Sequence, residues 1–454
     1  MADLLRQRSP RRADAERAER TWATEVVVWV LLAVCVGSVE GGTVGVMVNA
    51  LFRETVRPAT LGLLLAVLVG ASNFANLAAV GWSIVARGRE AAPLLRALQI
   101  GCAACVLLLA GAPHSPLGLA RVVIGVVGVR VLWSGIVILR TSLWRLQFAR
   151  AERTRIVGRI VALHYLVVAG TSATVGATVQ HFPGALPWVH GLAALAGLAG
   201  AALHRRVAVL VHHSQGALDV DADAACDGAS ATERASLEGA WAIFVGDPAY
   251  RAYLLALFAL DGGVLMAMAP LVLALHDVFR LDSFVQTALL VTIPTLTVPL
   301  TAWFFANRLS RLHVLGFRAR QGWLMAAAAL MFATGVSVHS VAVLFVASVL
   351  LGLGYAGGSI TWHIAHHEFA TARQSADYMV LNTILTGVRG LTAPFCGVAL
   401  YRWAEAAQSG GGKLALFAAA AVSLAGAVSF VVLSQNLRAR TDLAAVVATT
   451  PGQG

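Results

Sequence analysis

The chain has 454 residues, of which 58% are hydrophobic and only 13% are charged. Such a chain cannot cover a soluble domain with charged surface, so its composition excludes an ordinary soluble protein and favours one that lies in a lipid bilayer. The formal net charge of +11 then indicates cationic loops that orient membrane helices, and we expect no nucleic-acid partner.

The first predicted element is a polar, arginine-rich segment at residues 1–22, which lacks the apolar stretch of a signal peptide and is predicted to be a cytoplasmic tail. Apolar segments of about 20 residues, the length that a transmembrane helix needs, follow it. They lie near residues 26–51, 59–85, 94–112, 116–139, 159–180, 184–203, 250–275, 284–306, 319–337, 340–363, 378–400 and 413–436. Because most are apolar on every side, the pattern predicts an all-α integral membrane protein with twelve transmembrane helices.

The twelve segments fall into two groups of six. Residues 23–204 are predicted to form an N-terminal six-helix bundle and residues 250–437 a C-terminal one. A central cytoplasmic loop at residues 205–249 joins them, and a cytoplasmic tail at residues 438–454 follows the second. Within the loop, residues 232–245 have the pattern of a short amphipathic helix.

The basic residues are distributed unevenly between the two sides of this arrangement. With the N-terminus inside, 25 basic residues fall on that side and 5 on the other. The inside count includes Arg140 and Arg318, which fall in the predicted loops at residues 140–159 and 307–320. Because cytoplasmic loops are enriched in arginine and lysine, this asymmetry predicts an inner-membrane protein with both termini in the cytoplasm.

The two groups share short chemical patterns at matching places. Glu40 in the first segment and Asp261 in the seventh are each followed by two glycines. Trp144 ends the fourth segment and Trp362 ends the tenth. Repeated halves are typical of secondary transporters, so these matches predict an internal duplication.

Two six-helix halves joined by a cytoplasmic loop resemble the major facilitator superfamily of transporters. That family carries a G-x-x-x-D-R-x-G-R-R motif in the loops after its second and eighth spans, and this chain keeps parts of it. The remnants are Gly81, Gly88 and Arg89 in the first loop and Asn307, Arg308 and Arg311 in the second. Val85 replaces the acidic residue, whereas Arg121 and Gly125 match the R-x-x-x-G of the family's fourth span. The resemblance implies two pseudo-symmetric bundles that expose a central site to each side of the membrane in turn.

Five ionisable side chains lie inside the apolar segments, where a charge is costly and therefore indicates function or pairing. They are Glu40, Arg121, Arg130, Asp261 and Arg389. With a rise of about 1.5 Å per residue, Glu40 and Arg121 reach similar depths, and so do Asp261 and Arg389. The depths predict one acid–arginine pair in each half, whereas Arg130 lies nearer the cytoplasmic end and can extend towards it.

These charges are candidates for coupling and gating, because an acid that exchanges a proton beside an arginine can switch between two arrangements. The alternative is that the pairs are structural ion pairs between helices. The glycines after Glu40 and Asp261 either permit local unwinding or allow close helix contact.

Polar uncharged side chains inside the segments are candidates for substrate binding. They are Asn73, Asn76, His164, Tyr165 and Asn382. Each can equally hydrogen-bond a neighbouring helix. A cluster of His363, His366 and His367 beside Glu368 is predicted to be a polar cap at the membrane surface rather than a metal site.

The chain carries no phosphate-binding loop and no nucleophile or metalloprotease motif, so we expect neither an enzyme nor a cofactor. The sequence instead favours a secondary transporter of a small molecule, driven by a coupled proton or another ion, whose partners are its substrate and the lipid bilayer. The alternative function is a non-transporting receptor or assembly scaffold derived from a transporter, which the degenerate loop motif favours.

Overall fold

A computed structural model describes residues 10–86, 89–147, 150–215, 237–371 and 374–449. Only the backbone is described at residues 10–21, 141–142, 145–147, 150–155, 206–215, 363–364, 376 and 438–449. Gly88 of the loop-motif remnant lies outside the described residues, as do the beginning of the N-terminal tail, the end of the C-terminal tail and residues 216–236 of the central loop.

The described part of the chain is helical. The helices before the central loop, here called the N-half, are α1 Pro10–Gly37, α2 Gly41–Phe52, α3 Pro58–Phe74, α4 Asn76–Val85, α5 Ala91–Ala110, α6 Pro116–Gln147, α7 Arg150–His181 and α8 Leu186–Gln215. A short helix in the loop, α9 Leu237–Gly246, covers most of the predicted amphipathic segment. The helices after it, the C-half, are α10 Pro248–Asp277, α11 Ser283–Leu309, α12 Val314–Ser337, α13 Val341–Ile364, α14 Ser375–Ala407 and α15 Lys413–Thr449.

Ten segments of the described chain are long and apolar enough to cross a membrane, or eleven if the bent pair α3 and α4 is counted as one span. This confirms a multi-pass helical membrane protein, whereas the number twelve stays a prediction. Helix α12 covers the ninth predicted segment and has 24 residues. It is not among the ten apolar segments. Its first two turns carry the polar side chains of Arg318, Arg320 and Gln321.

The first predicted segment is not one continuous helix. Helix α1 ends at Gly37 and α2 begins at Gly41, and Glu40 between them has an extended backbone with φ of −60° and ψ of 132°. The second segment is likewise divided at Ala75, where α3 and α4 differ in direction by 44°. Both breaks face the centre of the molecule, where α2 packs against α3 and α10.

The matching glycines of the C-half lie in a continuous helix. Helix α10 runs unbroken through Asp261 and the two glycines, and Gly263 lies against the backbone of α15. A Cβ atom at Gly263 would stand 2.4 Å from the Ser423 nitrogen and 2.5 Å from the Ala419 oxygen. The Ser423 hydroxyl also donates to the Leu260 carbonyl across this seam. The acid–glycine–glycine pattern therefore coincides with a helix break in the N-half and with a continuous helix in the C-half. A glycine of each half lies against neighbouring backbone, Gly41 against the Leu68 carbonyl and Gly263 against α15.

The two halves meet along the centre of the molecule, with α3 packed on α14 and α7 packed on α11. At one end of this contact, Arg53 binds both Asp277 and His276 of the C-half. Arg402 of α14 donates to the Pro58 carbonyl at 2.7 Å beside it. These bonds close the space between the halves at that end.

The outer surface carries large apolar side chains, as a lipid-facing surface does. Trp188, Leu300, Trp303 and Trp403 are each more than two-thirds exposed. In water such a surface would cause aggregation, whereas hydrocarbon chains solvate it. These exposed apolar side chains thus agree with the membrane location that the apolar composition predicts.

Gly263→Ala tests the close seam between α10 and α15. We expect it to lower the free energy of unfolding by about 1–3 kcal/mol, because the added methyl group meets fixed backbone atoms. Gly170→Ala, in the exposed middle of α7 with open space around it, is the control and should leave stability unchanged or slightly higher. Thermal unfolding in detergent measures both, and equal melting temperatures for the two variants would contradict the seam.

Candidate functional site

A cavity of about 260 Å³ lies between the two halves. Asn73 and Tyr165 line it from the N-half. The C-half contributes most of the wall, including Asp261, Arg318 and Arg389. Polar groups that converge in an otherwise apolar cavity are the usual form of a small-molecule site.

Asp261 and Arg389 form an ion pair at the wall of this cavity. Arg389 Nη1 donates to Asp261 Oδ2 at 3.1 Å and to the Leu257 carbonyl at 3.3 Å. The arginine side chain is 7% exposed and the aspartate 22%. The second carboxylate oxygen, Oδ1, is buried without a partner among the described residues. The depths of these two residues in the sequence allowed this contact, and the structure shows it.

Glu40 pairs with Arg130. Arg130 Nη2 donates to Glu40 Oε2 at 2.7 Å and to the Val39 carbonyl at 2.9 Å, in the turn that separates α1 from α2. The arginine side chain is 6% exposed and the glutamate 28%. The N-half thus holds a buried guanidinium against the unwound turn of its first span, so the pair fixes the geometry of that break.

The pairing of Glu40 with Arg121 from their depths is therefore corrected. Arg121 is exposed, and its Nη1 donates to the Gly111 carbonyl at 3.2 Å. It precedes Arg130 by nine residues on α6, and at 3.6 residues per turn nine residues correspond to two and a half turns. The two arginines consequently lie on opposite faces of α6. Arg130 faces the interior of the molecule. Its depth along α6 does not reveal this, because depth says nothing about which face of the helix a residue occupies.

A third arginine, Arg140, lies among tryptophan rings. Its guanidinium carbon is 4.4 Å from the ring centroids of Trp29 and Trp144 and 6.0 Å from that of Trp133. Tryptophan faces attract cations, so the rings stabilise the charge of this partly exposed guanidinium. The apolar pattern places Arg140 in a loop after the fourth segment. In the structure, α6 continues past the apolar part of that segment and includes Arg140. The spacing of Trp133, Arg140 and Trp144, which puts all three on one helical face, was the signal that could have located it.

Arg318 is the functional candidate that the sequence analysis missed. It lies on α12, lines the cavity and is 1% exposed. Its Nη1 donates to Gln321 Oε1 at 3.0 Å, and Gln321 Nε2 donates to the Gly354 carbonyl at 2.6 Å. The residue was counted with the cytoplasmic loop before the ninth segment. His313, which caps the Leu315 nitrogen, marks the earlier start of α12.

The uncharged candidates have different surroundings. Asn73 and Tyr165 line the cavity, whereas Asn76 bonds the Ser72 carbonyl at 3.4 Å on its own helix pair. His164 stacks on Trp133 with ring centroids 5.1 Å apart. Asn382 is buried at a separate narrow crevice that Arg389 also borders. Of the five candidates for substrate binding, the cavity therefore brings together two, Asn73 and Tyr165.

The described remnants of the loop motif lie on the surface. Gly81, Arg89, Asn307, Arg308 and Arg311 are exposed. In the part of the chain with described side chains, none of the three arginines forms an ion pair. The acidic partner that such a pair needs is replaced by Val85 in the first loop and by Asn307 in the second.

Solved transporter structures share this fold. A structure of the nucleoside transporter NupG matches with a TM-score of 0.63 at 15% sequence identity, covering 90% of this chain and 98% of that chain. An auto-inhibited POT family peptide transporter matches with a TM-score of 0.62 at 16% identity, covering 92% and 97%. A POT family transporter in complex with 5-aminolevulinic acid matches with a TM-score of 0.60 at 12% identity, covering 91% and 96%.

These solved structures are transporters of the major facilitator type, and the likeness spans nearly the whole of each chain. Because the sequence identities are low, this likeness establishes the fold alone. It confirms the resemblance seen in the sequence as a resemblance of fold. No family model matches the chain, and no curated protein sequence matches it.

The two partners of the Glu40–Arg130 pair differ in exposure, which predicts unequal effects of removing them. Glu40→Gln should cost about 3–5 kcal/mol of stability, because it leaves Arg130 buried without a counter-charge. Arg130→Gln should cost less, because water reaches the remaining carboxylate. The double variant should recover most of the loss, and Arg121→Gln should stay within about 0.5 kcal/mol of the wild type.

Thermal unfolding of the four variants in one detergent measures these differences. A larger loss in Arg130→Gln than in Glu40→Gln would contradict the assignment of the buried charge to the arginine.

Proposed function

We propose that this protein is a secondary active transporter of a small molecule, coupled to protons, in which the N-half and C-half rock about the cavity between them. The observation that carries this proposal is a cavity lined from both halves, with the Asp261–Arg389 pair in its wall. A site at the interface of two halves can open to each side of a membrane in turn.

Asp261 is the proposed coupling residue. Its carboxylate borders the cavity and is partly exposed, while the guanidinium that it binds is buried. A proton on the carboxylate cancels the charge of Asp261 and weakens its hold on Arg389, because the charged guanidinium then faces a neutral acid. Arg389 would then be free to bind substrate or another carbonyl, so protonation and substrate binding become linked.

Glu40 and Arg130 provide a similar pair in the N-half, placed at a hinge. The turn between α1 and α2 carries Glu40, and Arg130 ties that turn to α6. Helix breaks in the middle of a span are frequent at transporter sites, because the unwound backbone can bend. We infer that protonation of Glu40 loosens this tie and lets α2 change its angle.

The bonds between the halves at one end fit a closed gate. Arg53 binds Asp277 and His276, and Arg402 binds the Pro58 carbonyl, so both contacts cross from one half to the other. In the orientation that the basic residues predict, this end faces away from the cytoplasm. Opening there requires these bonds to break, and the two bundles of the proposed twelve-helix arrangement would move as units.

The solved structures that share this fold support a polar small molecule as the substrate, since they include a nucleoside transporter and peptide transporters. The exposed loop-motif remnants without ion pairs instead favour the second candidate, a scaffold that no longer transports. A scaffold has no need of a cavity with an acid in its wall, which is why we place transport first.

Asp261→Asn should separate proton coupling from substrate movement. In proteoliposomes, a gradient of one pH unit supplies about 1.4 kcal/mol per proton, so the wild type should concentrate its substrate about tenfold. The variant should still exchange substrate across the membrane but should not concentrate it. Asp282→Asn, at an exposed position without a side-chain capping bond, is the control and should behave as the wild type.

The assay uses radiolabelled nucleosides, peptides, amino acids and organic acids, with counterflow and pH-driven uptake measured in parallel. Proton-driven accumulation by Asp261→Asn equal to that of the wild type would contradict the role of Asp261. Wild-type vesicles that show neither uptake nor counterflow for any compound would favour the scaffold.

A further inference from the structure

Arg318 differs in its surroundings from the other two buried arginines, Arg130 and Arg389. Arg130 and Arg389 each bind a carboxylate, and the partly exposed Arg140 lies against tryptophan rings. Arg318 is 1% exposed, yet no carboxylate of the described side chains lies within ion-pair distance of it. Its described neighbours are the neutral side chains of Gln321 and Tyr253.

A buried guanidinium without a counter-charge is unfavourable, and arginine does not escape the cost by losing its proton. A buried guanidinium whose described neighbours are all neutral is therefore a candidate for binding an anion from outside the chain. Because Arg318 lines the cavity, the missing anion has a place to bind.

Neighbouring groups hold the guanidinium in place. Gln321 accepts from Nη1 and donates to the Gly354 carbonyl, so the arginine is anchored to α13 as well as to α12. The Nε atoms of Arg130, Arg389 and Arg318 are all buried without a partner among the described residues, so this atom does not set Arg318 apart. A guanidinium held in place presents a planar fork of N–H groups that matches the two oxygens of a carboxylate.

We propose that Arg318 is the anion-binding residue of the cavity and that the substrate is a small monocarboxylate with an apolar or aromatic body. This inference rests on the proposed transport function and names its substrate class. The cavity lining contains Arg318, Arg389 and Asp261 as its charged groups, which gives a net charge of +1 and matches a single negative charge.

The rest of the lining fits the body of such a molecule. Val264, Leu265, Val298 and Met325 supply an apolar surface, and aromatic rings including Trp362 border it. The cavity volume of about 260 Å³ is large enough for a small metabolite. A phosphate dianion matches the net charge less well, because its second charge lacks a counter-charge.

Binding to the detergent-purified full-length protein tests the inference. The probes are benzoate, pyruvate and indole-3-acetate, each compared with its uncharged amide by calorimetry. At least one carboxylate should bind the wild type, and its amide should not. Arg318→Gln should raise the Kd of that carboxylate by about ten- to a hundredfold, since a charge-assisted bond is lost. Arg320→Gln, two residues along on an exposed face of the same helix, should leave the Kd unchanged.

Arg318→Lys keeps the charge without the planar fork and should bind with an intermediate Kd. Size-exclusion profiles and melting temperatures show whether each variant folds. If Arg318→Gln does not fold, the Kd of Arg318→Lys tests the proposal in its place. The proposal is overturned if no probe binds the wild type, if the amides bind equally well, if inorganic phosphate binds more tightly than every carboxylate, or if the Arg318 variants bind as the wild type does.

The outcomes also separate this inference from the transport proposal. Proton-driven uptake of another compound with no carboxylate binding would end the anion assignment and leave transport intact. Carboxylate binding that depends on Arg318, without uptake or counterflow of the bound probe, would keep the anion site and end the transport proposal.

Discussion

A charge inside a low-dielectric bundle must be paired, and this constraint organises the interior of the protein. Each buried guanidinium has its own solution: Arg130 binds Glu40 at a helix break, Arg389 binds Asp261 at the cavity wall, and Arg318 lies in that wall with only neutral partners. The two ion pairs hold neighbouring helices together, whereas Arg318 is the guanidinium for which we propose an anion from outside the chain. Under that proposal, stability and ligand binding depend on the same kind of group.

One sequence pattern has different outcomes in the two halves. The helix breaks beside Glu40, and Gly41 after the break lies against the Leu68 carbonyl, whereas the helix continues through Asp261 and Gly263 lies against α15. Both patterns thus permit close helix contact, and only the one in the N-half coincides with a break. In the proposed rocking mechanism, we expect the break in the N-half to bend while the continuous α10 of the C-half keeps its shape.

Much of the fold was predictable from the sequence, because hydrophobic runs and breakers specify helices directly. Depth along a helix is also readable, and it allowed the contact of Asp261 with Arg389. The direction in which a side chain points around its helix cannot be read in this way. For that reason the sequence predicts Arg121 as the partner of Glu40, whereas the structure shows Arg130. Arg140 and Arg318 were assigned to loops because their helices continue past the apolar stretch, and only the cap at His313 or the tryptophan spacing could have corrected this. The glycines beside Glu40 and Asp261 allowed either unwinding or close helix contact, and the choice between the two depends on tertiary packing, which a local pattern does not contain.

The central claim is that the two halves move about the cavity, opening one end as the other closes. Double electron–electron resonance tests it with spin labels on exposed positions after the native cysteines are replaced. One pair, Arg57→Cys with Arg280→Cys, spans the end that Arg53 and Asp277 close, and another, Arg89→Cys with Arg311→Cys, spans the opposite end. The account predicts two distances at each end, with one pair lengthening as the other shortens when pH is lowered. A single unchanged distance at both ends, across pH and with every probe, would contradict it.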